Sequence, residues 1–95
     1  MIKSWKNERT RKVFSAGISR GFRGMNREKA ENRLAALNAA ASLADLRTLQ
    51  GAAPHKLRGS RRGQWAMTVN GPLRVCFSFR MGDAYDVEIT DDHKG

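Results

Sequence analysis

The 95-residue chain contains one cysteine, two histidines, and 9 acidic residues against 18 basic ones. The lone Cys76 excludes an intramolecular disulfide and a thiolate zinc site. Its place in an apolar, alternating run favours a buried, inert thiol over a nucleophile. No apolar run approaches membrane-spanning length, and the opening MIKSWKNERTRK lacks the apolar core of a signal peptide. A reducing cytoplasm is the expected location, with no membrane partner. Internal repeats, low-complexity tracts and linkers are also missing. Residues 1–95 are therefore expected to form a single small domain with one modest core.

What is present is positive charge. The formal net charge of +9 points to an anionic partner. A basic, soluble protein with no polyanion partner is the bland alternative. It is weakened because arginine clusters rather than scatters, above all within residues 55–79. That stretch holds His55, then Arg58, Arg61 and Arg62, and the two best strand patterns in the chain.

Residues 2–5 suit an edge or first strand. Asn7 can cap a helix running to Ser15, with Val13 and Phe14 as its apolar contacts and Arg9, Arg11 and Lys12 outside. Glycines at 17, 21 and 24 break that pattern, so 17–25 reads as a loop anchored by Ile18 and Phe22. Asn26 caps the clearest helix, 27–41, whose stripe is Ala30, Leu34, Leu37 and Ala41. Its other faces carry Arg27, Glu28, Lys29, Glu31 and Arg33, read as solvated. Ser42 and Asp45 start one more turn at 43–46.

Residues 56–58 then read as a short strand entering a turn at 59–63. Trp65, Met67 and Val69 alternate with Ala66 and Thr68. Leu73, Val75, Phe77 and Phe79 alternate with Arg74, Cys76, Ser78 and Arg80. Tyr85, Val87 and Ile89 alternate with Asp86, Glu88 and Thr90. Keeping the apolar faces together requires a three-residue loop at 70–72, which pairs Met67 with Val75 and Trp65 with Phe77. The same logic predicts a three-residue loop at 81–83, pairing Phe79 with Tyr85, Phe77 with Val87 and Val75 with Ile89. Trp65 and Tyr85 then belong to the core. The expected fold class is α+β, with two helices on one face of a mostly antiparallel sheet.

This register sets Arg74 opposite Thr90, one residue from the Asp91-Asp92-His93 tail. A candidate site follows from Arg58, Arg61, Arg74, Asp91 and His93, with His55 nearby if the short first strand pairs with the sheet. RNA carries its own nucleophile, the 2′-hydroxyl. Cutting it without metal needs a base for that hydroxyl, an acid for the leaving 5′-oxygen, and cations for the charge on the phosphorane. Histidine suits the first two roles and arginine the third. Arg58, Arg61, Arg62, Arg74 and Arg80 by themselves point to phosphate binding rather than catalysis. Asp91, Asp92 and His93 are an alternative metal site, but adjacent residues on an extended tail splay apart. No cofactor is expected.

The runs Met1-Ile-Lys-Ser4, Leu37-Asn-Ala-Ala40, Ser42-Leu-Ala-Asp-Leu46, Leu57-Arg-Gly-Ser-Arg-Arg-Gly-Gln-Trp65, Leu73-Arg-Val-Cys-Phe77 and Gly82-Asp-Ala-Tyr-Asp-Val-Glu-Ile89 together resemble the HigB group of the RelE/ParE toxin superfamily. The resemblance spans essentially the whole chain. It implies a RelE-like small domain and a toxin that enters the A site of the 70S ribosome and cleaves mRNA there without metal. It also implies a HigA-like helix-turn-helix antitoxin, and contact with operator DNA only through the toxin–antitoxin complex. By position, His55 matches a histidine implicated in cleavage and Arg58 a basic residue that contacts RNA. Arg74 matches the arginine that stabilises the scissile phosphate, and Asp91 and His93 match the catalytic end. Two positions depart from the family: Asp92 stands where a tyrosine is expected, and Ser60 replaces a common aspartate. A carboxylate beside phosphate is repulsive, so Asp92 is expected to weaken cleavage unless it points away. Two other readings stay open, a gyrase poison of the ParE type and a non-catalytic RNA- or antitoxin-binding relative.

Overall fold

Asn7 starts the first helix by accepting a hydrogen bond from the Thr10 backbone N–H at 3.1 Å. Helix α1, Glu8–Ala16, follows in the computed structural model, which describes residues 1–91. Gly17 ends it in the left-handed conformation, at φ 68°, and its N–H returns to the last turn. A Cβ at Gly17 would lie 3.1 Å from the Glu31 carboxylate, so both backbone and space select glycine there. Val13 is buried, as expected, and Phe14 packs against Trp5 with 5.7 Å between ring centroids. Within the 17–25 loop Phe22 is buried. Ile18 is 45% exposed, so it does not anchor the loop as the sequence suggested.

Helix α2, Arg27–Ala39, is capped by Asn26 and buries Ala30, Leu34 and Leu37. It stops two residues short of the expected end, and Ala40 rather than Ala41 is buried beyond it. Arg33 is the larger correction: it is 5% exposed, not solvated. Its guanidinium donates to the carbonyls of Thr68 at 3.0 Å and Gln50 at 3.3 Å and to the Asn32 side chain. Position 33 is three residues from Ala30 and four from Leu37, so it shares their face. Helix α3, Leu43–Arg47, begins where the Asp45 carboxylate accepts from the backbone N–H groups of Ala41 and Ser42.

The strands are β1, His55–Lys56; β2, Trp65–Thr68; β3, Arg74–Arg80; and β4, Asp83–Thr90. They form one antiparallel sheet in the order β1-β2-β3-β4. Strand β1 lies one residue earlier than the 56–58 segment expected from sequence. The chain start runs parallel beside β4 through bridges at Ile2–Ala84 and Trp5–Val87. The helices cover one sheet face, where Met67, Val69, Val75, Phe77, Val87 and Ile89 meet Val13, Leu34 and Leu37. The architecture is thus α+β, three helices with a four-stranded antiparallel sheet.

The first hairpin has the expected register, Trp65 to Phe77 and Met67 to Val75, with the Val69 N–H donating to Leu73. The second differs. Its loop is only Met81-Gly82, with Arg80 opposite Asp83 and Phe79 opposite Ala84. Both loop residues have positive φ, 51° and 84°, which matches the tight primed turn favoured between twisted strands. One residue fewer in the loop turns Tyr85 onto the other face, opposite Ser78. A bulge around Asp86, at φ 54°, then restores the register, so that Cys76 meets Glu88 and Val75 meets Ile89 as expected. The Asp86 N–H is held by the Ser4 hydroxyl at 2.8 Å. Tyr85 is therefore not a core residue: its ring lies under the Arg80 guanidinium at 4.2 Å.

Thr10 joins α1 to β4. Its buried hydroxyl donates to the Asn7 side chain at 2.6 Å and accepts the Ile89 N–H at 3.0 Å. Thr10→Val keeps the shape and leaves that N–H unsatisfied. Urea denaturation should show a loss of about 1–3 kcal/mol. A loss below about 0.3 kcal/mol would mean that the bond does not fasten α1 to β4.

Candidate functional site

Alternation in the strands sends Ala66, Thr68, Arg74, Cys76, Ser78, Arg80, Glu88 and Thr90 to the sheet face that the helices leave open. His55 pairs with Ala66 and so joins the row Ala66, Cys76, Glu88 on that face. The floor of the face is a small apolar cluster of Leu57, Ala66 and Cys76. Cys76 is buried there, as expected from its run.

Arg74 stands at one end, between Thr68 and Thr90. Its guanidinium donates to the Gly71 carbonyl at 3.3 Å and the Leu73 carbonyl at 3.5 Å. These contacts aim it at the hairpin loop. Among the described residues no carboxylate pairs with it. His55 is exposed, two strands away and one row over, with Nδ1 3.2 Å from the Ala53 carbonyl. Sheet spacing separates the His55 and Arg74 backbones by about 10 Å laterally.

The other predicted arginines gather at the opposite end. The segment after β1 carries Arg58, Arg61 and Arg62 through a 3₁₀ turn, Gly59–Arg61. Arg80 ends β3 on the same side, about 20 Å along the strand from Arg74. Arg61 is half-buried. It donates to Glu88 at 3.2 Å and to the Gln64 side chain at 3.1 Å. Glu88 also accepts from the Asn7 amide at 3.4 Å. Glu88 and Lys6, neither of them expected as site residues, help line this end. Glu88 did carry a signal, since its alternation with Val87 and Ile89 puts it on the open face.

Asp91 follows Thr90, and no ion pair joins it to Arg74. It lines a cleft of about 300 Å³ with Arg9, Arg23, Phe22 and Pro72, on the loop side of the sheet. The structure thus brings Arg74 and His55 to one face but does not bring Asp91 to them. Asp92 and His93, with the proposed metal alternative there, lie outside the described residues. Among the described residues no three His, Cys, Asp or Glu side chains are grouped to hold a metal ion. None of the described helices is long and apolar enough to cross a membrane.

An open sheet face with a phosphate-matching arginine at one end and a cationic loop at the other suits an extended, single-stranded polyanion. Comparison with known proteins agrees in kind. The family model for the RelE-like toxin of type II toxin-antitoxin system HigB matches residues 3–93. Endoribonuclease HigB of Proteus vulgaris is 33% identical over 93 residues, which cover 98% of this chain and 100% of the relative. With a match over nearly its whole length, the chain belongs to the HigB-like family of RelE-like type II toxins.

Proposed function

We propose that the chain is an endoribonuclease that cuts mRNA in the A site of a translating ribosome, without metal, and thereby stops translation. Membership of a type II toxin family implies an antitoxin partner. A HigA-like helix-turn-helix antitoxin is the partner proposed here, with operator DNA reached only through that complex. The observation that carries the reading is Arg74, held on the open face by two carbonyls and pointed at the hairpin loop with no carboxylate partner among the described residues. Its planar fork is suited to the phosphorane oxygens. His55 is on the same face, and an imidazole there can give or take a proton in the reaction. His93 is assigned the complementary acid or base role, and Asp91 a supporting one at the edge of the face. Full-length similarity to a protein named as an endoribonuclease supports the same chemistry.

The reading is tested with one labelled message under two conditions, free in buffer and under translation by purified ribosomes. Cleavage only under translation is the expected result. Cleavage of free message at the same rate would refute the ribosome requirement. An intact message with arrested DNA supercoiling by gyrase would replace the reading with gyrase poisoning.

A further inference from the structure

Arg74 occupies one end of the open face, and the chemistry assigned to it leaves the other end unused. There, a polar cleft of about 460 Å³ is lined by Lys6, Ser60, Arg61, Arg62, Gln64, Ser78 and Glu88. Beside it stands the Arg80–Tyr85 stack, since Tyr85 is the cross-strand neighbour of Ser78. We propose that this end is a nucleotide subsite for single-stranded RNA, with a phosphate at Lys6 and Arg62 and a base stacked on the Arg80–Tyr85 pair. The identity of the polyanion rests on the RNA-cleaving reading above.

Position separates this subsite from the one at Arg74. Ser78 lies four residues along β3 from Arg74, about 13 Å. The Arg74 guanidinium points away from it, toward Gly71 and Leu73. A single phosphate therefore does not touch both ends, and the far cleft takes a different nucleotide of the same strand. Lys6 and Arg62 are exposed and supply the cleft's outward-facing charge. Among the described residues lining the cleft Glu88 is the one carboxylate, and Arg61 and Asn7 both donate to it. That pairing counters its repulsion of phosphate and fixes Arg61 against the sheet. The short hairpin loop and the Asp86 bulge are what turn Tyr85 outward. An exposed guanidinium held over an aromatic ring pairs a cation with a π surface, the combination on which unpaired bases stack.

The test is direct binding of full-length chain to a fluorescent single-stranded RNA of about ten nucleotides, read by anisotropy across a salt series. The double change Lys6→Ala with Arg62→Ala should weaken binding at low salt at least about tenfold. It should also reduce the slope of log K against log salt by about 1.4, or about 0.7 for each phosphate no longer neutralised. Tyr85→Ala should weaken binding about five- to 100-fold with the slope unchanged, and Tyr85→Phe should restore it. Lys29→Ala, an exposed change on α2, should leave the slope as it was. Unchanged affinity and slope in the double variant would overturn the subsite, as would an equal slope change in Lys29→Ala. The surface double variant keeps the test valid even if Tyr85→Ala fails to fold. Binding is read on uncut RNA. Wild-type message that stays intact on ribosomes refutes the cleavage reading alone, and wild-type binding by the double variant refutes the subsite alone.

Discussion

Alanine at Arg74 should slow cleavage of translated message by about 10²–10³-fold, the loss typical of one charge-stabilising donor at a reacting centre. The physical ground is that attack by the 2′-hydroxyl adds negative charge at phosphorus. A guanidinium fork that pairs with those oxygens binds the transition state more tightly than the ground state. Arg74→Lys keeps the charge and loses the fork, so its rate should fall between the two. Stability should move by less than about 1 kcal/mol, since the two hydrogen bonds removed are long, at 3.3 and 3.5 Å, and reach water, so solvent replaces them, unlike those of a buried guanidinium. Single-turnover cleavage together with urea denaturation separates the two effects. A rate within about threefold of wild type would remove Arg74 from the reacting centre.

The second large effect is structural. Arg33→Ala should destabilise the fold by about 3 kcal/mol, because hydrogen bonds from a charged donor contribute about 1.5–3 kcal/mol each. Arg33 makes two such bonds to backbone carbonyls, at Thr68 and Gln50, and so ties α2 to β2 and to the loop leading into β1. Without it those carbonyls lose their partner and the space around its aliphatic stem is left unfilled. Arg33→Met fills most of that space and buries no charge, so it should lose about half as much. Denaturant midpoints of the two variants measure this. A change of less than about 0.5 kcal/mol in Arg33→Ala would restore the solvated placement inferred from sequence.

Much of the site was legible because alternation is a strong constraint. The faces of β2 and β3 follow from Trp65, Met67, Val75 and Phe77, and with them the outward position of Arg74 and its pairing with Thr90. What misled was chemistry standing in for geometry. Arg33 sits on the buried stripe by spacing, yet its charge suggested solvent. Ile18 suggested burial by its hydrophobicity, yet it lies on the surface of the loop.

Tyr85 shows a different limit. A uniform rule for hairpin loops put it in the core. A tight two-residue turn and a compensating bulge keep Val87 and Ile89 in place while turning only that ring outward. Two offsetting one-residue shifts leave no trace in the hydrophobic pattern, because the pattern is intact on either side. Asp91 shows another limit: it follows Thr90 beyond the end of β4, where alternation no longer fixes a side chain, and it lines a cleft with Arg9, Arg23 and Pro72.

The most direct test of the central claim maps cut sites. Primer extension is run on a message translated by purified ribosomes with wild-type chain, Arg74→Ala and His93→Ala. New 5′ ends at A-site codons are expected with wild type, and loss of those ends in both variants. Intact message with wild type, or the same ends at full intensity in both variants, would contradict it.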